Sequence, residues 1–321
     1  MDVKICTMGE LFVEFVAKEF NQRFDYTNEY IGPYPSGAPA IFANQVAKLG
    51  FPVIFLSCVG KDPFGKMCIN RLKQDGVNVN GITSHNKVKT ASAFSTQIGP
   101  KERSLIYNVL NSACGLISFD HVNEALLKDC NHLHIMGSSL YSFRAIDAMC
   151  KVINFIKSHG GTVSFDPNLH KEMSEIREIE QSFSYILEFT DIILINETQV
   201  RYFSENYESD EETIKALLEK GIKHLVVKKG SDGANYYCCD DKNNINTIYS
   251  KGFSIDAIDH SGADYCFDAT FVSLLLSGFS VEQTLMYANA CYALSSSYKG
   301  PMEGTSSLIA IEKFLSENIN N

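Results

Sequence analysis

Basic residues are scarce in this chain, and the scarcity excludes two broad classes of partner. Lys and Arg total 28 against 38 Asp and Glu over 321 residues, which gives a formal net charge of −10. A general nucleic-acid binder needs basic surface to displace counterions from phosphates, and an electrostatic membrane-surface binder needs the same sign of charge. The composition therefore predicts no nucleic-acid and no membrane partner. An anionic ligand stays open, because one local pocket can oppose the global sign.

Metal-type cysteine pairs and long hydrophobic runs are also missing. None of the ten cysteines forms a Cys-x-x-Cys pair, and several lie inside apolar runs, which is typical of reduced thiols packed as small hydrophobes. The longest strongly apolar uncharged stretch, Ala269 to Val281, is shorter than the ~20 residues that span a bilayer. The N-terminal stretch carries charges that a signal peptide would lack, at Asp2, Lys4, Glu10 and Glu14. We therefore expect a cytoplasmic protein.

Short β-branched runs alternate with helical segments along most of the chain. Strands are predicted at Val3–Thr7, Val53–Val59, His132–Met136, Val163–Asp166, Ile192–Asn196 and His224–Lys228. Helices are predicted at Ala38–Leu49, Phe64–Gln74, Ala145–Lys157, Cys266–Gly278 and Val281–Ser297. Such alternation implies an α/β fold with a mostly parallel sheet covered on both faces. In such folds ligands bind at the carboxyl ends of the strands.

Two stretches, at about 12–34 and 90–110, do not follow this alternation. They are rich in aromatic and β-branched residues with polar alternation, which predicts antiparallel strands in a small appendage. A lid and a dimer contact are equally good interpretations of that appendage. We expect the rest of residues 1–321 to form one domain into which the two stretches are inserted.

Two segments predict binding of a small ligand, each beside a structural alternative. In PSGAPAIF, Gly37 precedes a helix, so its backbone can approach a ligand at the helix start, although a simple turn explains it equally. In SFDPN, Asp166 and Asn168 follow a strand and are suited to grip sugar hydroxyls, or to close an Asx turn.

Two further segments predict binding of an anion. The glycines of VVKKGSDGA, residues 226–234, admit a phosphate close to the backbone or form a hairpin turn. In IDHSGADYCFD, residues 258–268, a glycine turn opens a long apolar helix. Free N–H groups at such a start attract anions, and a carboxylate there can act as a general base. The alternative is a buried helix with an ordinary acidic first turn.

In this order and spacing, the segments resemble the ribokinase-like (PfkB) carbohydrate kinase family, from Gly9-Glu10 to GPMEGT at 300–305. GPYPSGAPAIF, HLHIMGSSL, SFDPN and GPMEGTSSL resemble its ketohexose and tagatose-kinase-like branch most. The resemblance implies a three-layer α/β/α sandwich with a small β lid, often used for dimerisation. It also implies transfer of the γ-phosphoryl group of ATP, with Mg²⁺, to a sugar hydroxyl.

The resemblance carries roles onto three sets of residues, none of them a direct metal ligand. The implied sugar-binding residues are Gly9, Glu10, Gly37, Ala38, Asp166, Asn168 and His170. The implied nucleotide-binding residues are Asn196, Gln199, Lys228, Gly230, Gly233 and Asn289. The implied catalytic turn is Gly262, Ala263, Asp264 and Tyr265.

The catalytic turn departs from the family, in which it reads Gly-Ala-Gly-Asp and its Asp accepts the hydroxyl proton. Tyr265 stands at the base position here, and a phenol, which ionises near pH ~10, is a poor base at neutral pH. Asp264 is one residue early, and neighbouring helical side chains differ by roughly 100° in direction. Its charge at ~4 Å from a phosphate charge costs about 4 kcal/mol at an effective dielectric of 20. The favourable interaction of the Asp264 carboxylate with the helix N-terminus offsets only ~0.3–1 kcal/mol of this repulsion.

Three other positions also depart from the family pattern. Gln199 stands where the family's Asn-x-x-Glu has its Glu, His170 replaces an Arg, and Ile41 replaces an Asn. Two functions follow from these observations. One is a sugar kinase slowed by roughly 10²–10⁴ through loss of its base, working through Asp264 or Asp268. The other is a pseudokinase that binds sugar or nucleotide as a sensor or partner subunit. A nucleoside kinase of the same fold is a third alternative.

Overall fold

Nine strands form the central sheet of the computed structural model, which describes residues 3–98, 102–169, 177–204 and 209–318. Their bounds are β1 Ile5–Met8, β4 Val53–Gly60, β5 Ile82–His85, β8 His132–Met136, β9 Thr162–Asp166, β10 Ile192–Asn196, β11 His224–Lys228, β12 Gly233–Cys239 and β13 Ile245–Lys251. Their order across the sheet is β13-β12-β11-β10-β9-β8-β1-β4-β5. All described pairings are parallel except β11 with β12 and β12 with β13.

Helices cover both faces of this sheet. Their bounds are α1 Ala38–Lys48, α2 Pro63–Gln74, α3 Glu124–Leu127, α4 Phe143–Ser158, α5 Arg177–Leu187, α6 Glu197–Phe203, α7 Asp210–Glu219, α8 Ala263–Leu276, α9 Val281–Ser296 and α10 Leu308–Asn318. Helices α4, α5 and α7 contribute to one buried apolar cluster, and α1, α8 and α9 to the other. The predicted three-layer α/β/α sandwich is therefore confirmed. Strand β4 is buried at every position, as expected of a strand covered on both faces.

The predicted strands and helices are found with small changes in their bounds, and one change matters. Helix α8 begins at Ala263, three residues before the predicted start, so Asp264 and Tyr265 lie in its first turn. Gly262 caps this start with φ +85°, a left-handed conformation that glycine adopts without strain. Strands β5, β12 and β13 were not predicted from the sequence. The sequences of β5 and β13 are largely polar and have no buried position, and β12 lacks a regular alternation of buried and exposed residues.

The two inserted stretches form a second sheet of four strands. Its order is β3-β2-β6-β7, with bounds β2 Phe12–Ala17, β3 Tyr30–Ser36, β6 Ala91–Ile98 and β7 Glu102–Tyr107. The expectation of purely antiparallel strands is wrong for one pair, because β2 and β6 run parallel. These two strands are separated by the 73 residues 18–90, which contain β3, α1, β4, α2 and β5, so a hairpin cannot join them. Glu14 of β2 is buried and accepts hydrogen bonds from Ser36 of β3 and Ser95 of β6, at 2.7 and 2.5 Å.

The cysteines are reduced, as their apolar surroundings in the sequence predicted. All ten cysteines are free thiols, and six of them are buried. Within the described ranges, none of the helices combines the length and the apolar character needed to cross a membrane.

Candidate active site

Glu10 is the centre of the predicted sugar side, just beyond the carboxyl end of β1. Its carboxylate is 5% exposed and accepts hydrogen bonds from the hydroxyls of Ser138 and Ser139, at 2.9 and 2.7 Å. Burial raises the pKa of Glu10, and these hydrogen bonds, with one from the Ala38 N–H, oppose the rise. The Glu10 carboxyl group therefore satisfies one of the free N–H groups at the start of α1.

The glycines on either side of Glu10 are required by close packing. A Cβ on Gly9 would lie 2.0 Å from the Ser139 hydroxyl oxygen. A Cβ on Gly37 would lie 2.3 Å from the Glu10 carbonyl oxygen, and Gly37 has φ +122°. Both predicted positions therefore shape the pocket around Glu10, whether or not they touch a ligand.

Asn168 connects this pocket to the start of α8. Its amide group donates to Ser138 at 2.9 Å, and its amide oxygen accepts from the Tyr265 hydroxyl at 3.3 Å. The Asn168 N–H donates to Asp166 Oδ1 at 2.8 Å, which is the Asx turn that the SFDPN spacing allowed. Polar contacts therefore run from Glu10 through Ser138 and Asn168 to Tyr265. His170, which was predicted to contact sugar, lies outside the described residues.

Lys228 sits at the carboxyl end of β11 and is held by two carboxylates. Its ammonium group donates to Asp166 of β9 at 2.9 Å and to both oxygens of Asp268 on α8, at 2.8 and 2.9 Å. Lys228 is 5% exposed, Asp166 2% and Asp268 0%. Asp268 is thus turned into the core and paired, so it does not reach a substrate hydroxyl. The Lys228 side chain acts here as a link between sheet and helix.

Burial and pairing shift the pKa values of the triad Asp166, Asp268 and Lys228 in different directions. Burial opposes the ionised form of Asp166, but Lys228 and several hydrogen bonds lower its pKa. Burial raises the pKa of Asp268 well above its usual range, although Lys228 opposes the rise. Burial alone would lower the pKa of Lys228, but the two carboxylates raise it. The ammonium is therefore charged at all ordinary pH values.

Asn196 and Gln199 form a reciprocal capping box at the start of α6. Gln199 Oε1 accepts from the Asn196 N–H at 2.8 Å, and Asn196 Oδ1 accepts from the Gln199 N–H at 2.9 Å. The Gln199 amide group also donates to Asp166 at 3.5 Å. A Glu at this position would place another carboxylate beside Asp166 and Asp268. The exchange of the family's Glu for Gln therefore suits the charges already buried here.

Gly230 lies in the turn between β11 and β12 and Gly233 begins β12, so the hairpin interpretation of VVKKGSDGA is confirmed, while nucleotide binding there stays a prediction. Gly230 has φ +59° and Gly233 φ +104°. A Cβ on Gly233 would lie 2.1 Å from the Ser250 carbonyl oxygen, so packing against β13 is enough to require glycine. Asn289 of α9 faces the same strand and donates to the Ser250 carbonyl at 3.1 Å. Its buried Oδ1 has no hydrogen-bond partner in the described part of the chain.

Asp264 and Tyr265 point to different sides of the α8 start. Tyr265 contacts Asn168 on the sugar side. Burial raises the pKa of the Asp264 carboxyl, while Lys228 and His260 lower it and Asp166 raises it. Among the described residues, the Asp264 side chain forms no hydrogen bond and no ion pair within 4.0 Å. It is therefore an acidic group with lone pairs available to a ligand.

Gly262 brings the start of α8 against the loop at residues 300–303. A Cβ on Gly262 would lie 2.2 Å from the Pro301 carbonyl oxygen. The carboxylate of Asp259 joins the same two segments, because it accepts from the N–H groups of Ser261 and Gly300, each at 2.9 Å. The position of the predicted anion-binding turn is thus fixed by the 300–303 loop.

Replacing Gly262 with Ala is expected to destabilise the fold more than the same change at Gly278. The two glycines flank α8 and have almost equal φ angles, +85° and +86°, but no described atom lies within 4 Å of a Cβ on Gly278. Gly278→Ala should therefore cost only the left-handed backbone penalty of about 1–2 kcal/mol. Gly262→Ala adds the contact with Pro301, for about 3 kcal/mol or more in total. Urea unfolding measures both, and equal losses would contradict the packing argument.

Two groups of the site were not predicted from the sequence. Ser138 and Ser139 lie in the family segment HLHIMGSSL without a predicted role, although two hydroxyls just after a strand are suitable partners for a carboxylate. The pairing of Asp268 with Lys228 was not predicted, because the residues lie 40 positions apart on elements that only the tertiary fold brings together.

The fold and these contacts define an α/β protein with polar side chains at the carboxyl edge of its sheet and a glycine-capped helix start beside them. A model of the pfkB family carbohydrate kinases matches residues 3–308. Probable fructokinase-2 of Arabidopsis thaliana is 28% identical over 304 residues, which cover 92% of this chain and 91% of the relative.

Two solved structures are similar over nearly their whole length. A candidate ribokinase II of E. coli, in complex with ATP and Mg²⁺, is 42% identical with a TM-score of 0.92, covering 98% of this chain and 100% of that chain. The fructokinase of Vibrio cholerae O395 with bound fructose, ADP and calcium shares the fold at 23% identity and a TM-score of 0.83, covering 98% and 99%.

The chain belongs to the PfkB family of carbohydrate kinases, and it is therefore a phosphotransferase. The predicted family is confirmed, and the fructokinase relative supports the predicted ketohexose-kinase-like branch.

Proposed function

We propose that this protein phosphorylates a hydroxyl of a ketohexose or a related carbohydrate with ATP, at a rate reduced by its altered catalytic turn. The observation that carries the proposal is the row of polar contacts from Glu10 through Ser138 and Asn168 to the Tyr265 hydroxyl. This row joins the proposed sugar side to the start of α8. The fructokinase relative supports a ketohexose as substrate.

Carboxylate and amide groups on the sugar side are suited to hold several sugar hydroxyls. The oxygens of the Glu10 carboxyl group can accept hydrogen bonds whether the group is ionised or protonated. Asn168 offers both an acceptor and donors. Tyr265 orients Asn168 through its hydroxyl. We assign sugar binding to these groups and to the backbone of Gly37 and Ala38.

The described residues fit a nucleotide on the other side of α8. The turn at Gly230 and Gly233 lies at the carboxyl edge of the sheet, and Asn289 has a buried acceptor without a partner. ATP supplies the phosphoryl group when it is bound. The E. coli structure with ATP and Mg²⁺ supports the same pair of ligands here. Mg²⁺ usually keeps several waters and is bound through phosphates with one or two carboxylates, and no residue is assigned here as its direct ligand.

Asp264 is the proposed proton acceptor, and its position explains the reduced rate. Its raised pKa makes it a stronger base than an ordinary Asp. Its side chain leaves the helix one residue before the family's base, so the approach to the hydroxyl is less direct. Loss of a well-placed base slows transfer by roughly 10²–10⁴.

The pH dependence of kcat/KM is expected to follow the titration of the Asp264 carboxyl group. Since the base must be deprotonated, kcat/KM should fall as the pH drops through a pKa above the ordinary Asp value of ~4. Asp264→Asn should lower kcat/KM and remove this acid limb, whereas Asp120→Asn, an exposed control away from the site, should leave the limb in place. A limb that persists in Asp264→Asn would assign the titration to another group.

Purified protein tests the proposal when it is incubated with ATP, Mg²⁺ and a panel of ketohexoses and aldonates while ADP release is followed. We expect slow ADP release that depends on a ketohexose. Adenosine and other nucleosides belong in the same panel, because turnover with a nucleoside alone would replace the sugar by a nucleoside substrate.

A pseudokinase that binds sugar or nucleotide is the second candidate. It is favoured by the negative charge of Asp264 in the anion-binding turn and by the full pairing of the Lys228 ammonium with carboxylates. Ligand binding without ADP release for any sugar would support it. Turnover at the level of ordinary sugar kinases would exclude it.

We also propose that the second sheet is a lid over the sugar, or a contact in a homodimer, in a cytoplasmic protein. Its outer side chains Phe94 and Ile106, which pair across β6 and β7, are 38% and 55% exposed and support either role. Phe94→Ser with Ile106→Ser should dissociate a dimer in light scattering. If the protein is monomeric, the same variant should instead raise KM for sugar.

A further inference from the structure

An open groove of about 530 Å³ lies outside the proposed active site. It is bordered by β3, by α2 and by Glu303 of the 300–303 loop, and we name it the α2 groove after the helix that contributes most of its lining. The groove is lined among others by Tyr34, Lys66, Met67, Asn70, Arg71 and Glu303. None of the proposed sugar or nucleotide residues lines it.

The α2 groove carries one unpaired positive charge in a chain of net charge −10. Arg71 is paired with Glu303 and with Asp75, which does not line the groove, so Lys66 is the free cation among the described residues that line it. The Lys66 ammonium is exposed and forms no ion pair or side-chain hydrogen bond among the described residues. Tyr34 and Met67 add an apolar wall. Such a cavity fits a small organic anion, with its phosphate or carboxylate toward the cations.

Arg71 connects the α2 groove to the 300–303 loop. Its guanidinium donates to Glu303 at 2.7 Å and to the Met302 carbonyl at 2.9 Å, while Asp75 fixes its Nε at 2.6 Å. The side chain of Glu303 is 35% exposed, so an anion in the groove can compete with it for the guanidinium. Displacement of Glu303 from Arg71 would remove one of the contacts that hold the 300–303 loop against α2.

The same loop supports the start of α8. Pro301 packs against Gly262, and Asp259 joins the N–H groups of Ser261 and Gly300. A ligand that shifts residues 300–303 therefore shifts the turn that carries Asp264. The 300–303 loop contacts both the α2 groove and the start of α8, and this shared contact is the physical basis for a coupling between the groove and the active site.

We propose that the α2 groove is a regulatory site for a small organic phosphate or carboxylate, which lowers the affinity of the active site for nucleotide and its turnover by displacing Glu303 from Arg71.

Isothermal titration calorimetry tests the site on the intact protein, using fructose 6-phosphate, citrate and inorganic phosphate as probes. Fructose and a non-hydrolysable ATP analogue are present at saturation, so that binding at the active site is blocked. Lys66→Glu should weaken binding of the organic anions by about tenfold or more. Lys73→Glu is the matched control, since Lys73 is an exposed lysine of the same helix that does not line the groove, and it should bind like the natural chain.

The coupling is read from the affinity for the ATP analogue, which needs no turnover. We expect the organic anion to weaken analogue binding about fivefold or more in the natural chain and in Lys73→Glu, but not in Lys66→Glu. Binding by inorganic phosphate alone would reassign the site to the free ion. Absence of binding, or equal binding by Lys66→Glu, would overturn the site, and unchanged analogue affinity would overturn the coupling. Because binding and analogue affinity do not depend on sugar phosphorylation, these results are separate from the fate of the proposed reaction.

Discussion

Replacing Asp264 with Gly and Tyr265 with Asp together is expected to raise sugar-dependent turnover by about 10²- to 10⁴-fold. The double variant restores the Gly-Ala-Gly-Asp turn implied by the family. It removes the carboxylate that repels a phosphoryl group at the start of α8, and it places a carboxylate on the side where Tyr265 now contacts Asn168. The measurement is ADP release at saturating ATP and fructose, with circular dichroism to show that the variant is folded.

Single variants separate the two contributions. Asp264→Gly alone should relieve the repulsion but leave no base, so it should fall far short of the double variant. Tyr265→Phe removes only the hydroxyl bonded to Asn168 at 3.3 Å, so it should mainly raise KM for sugar. A folded double variant with unchanged turnover would contradict the proposed effect of the altered catalytic turn.

Replacing Lys228 with Met is expected to cost about 3–5 kcal/mol of the free energy of unfolding. The change leaves Asp166 and Asp268 buried and facing each other without their cation. Lys229→Met is the control, because the Lys229 ammonium is partly exposed and lies 4.0 Å from Glu197, so its loss should cost less than about 1 kcal/mol. Urea unfolding at neutral pH measures both variants.

The loss in Lys228→Met should shrink as the pH falls. In the natural chain the lowered pKa of Asp166 contributes stability above the ordinary Asp pKa of ~4, and that contribution disappears as the pH drops through the lower folded value. The variant lacks this contribution, and protonation of its two carboxyls relieves their repulsion. Adding Asp268→Asn should recover part of the stability at neutral pH. Equal unfolding midpoints for Lys228→Met and Lys229→Met would contradict the role of the triad.

Periodicity and turn residues were sufficient to predict the central strands of the main sheet, but not β5, β12 and β13 at its two ends. The buried strands β1, β4, β8, β9, β10 and β11 consist of apolar runs, so their positions were clear from sequence. Strand β13 alternates irregularly between exposed and half-buried positions, and only its pairing with β12 makes it a strand. The parallel pairing of β2 with β6 likewise depends on chain topology, which a local pattern does not contain.

The candidate site was predictable where residues directly follow a strand. Asp166, Asn196 and Lys228 end β9, β10 and β11, and these neighbouring strands bring them to one edge, as the carboxyl-end rule requires. The rule does not say which partner each side chain takes. Lys228 pairs with Asp166 and Asp268 because burial makes an unpaired charge costly, and that choice depends on the packed interior.

Phosphorus NMR of the natural chain with ATP, Mg²⁺ and fructose tests the central proposal most directly, because it identifies the product that receives the phosphoryl group. We expect a fructose phosphate resonance to grow slowly, and to grow about 10²- to 10⁴-fold faster with Asp264→Gly and Tyr265→Asp together. Formation of inorganic phosphate alone, or no sugar phosphate from either protein, would contradict the proposal that this chain is a weakened sugar kinase.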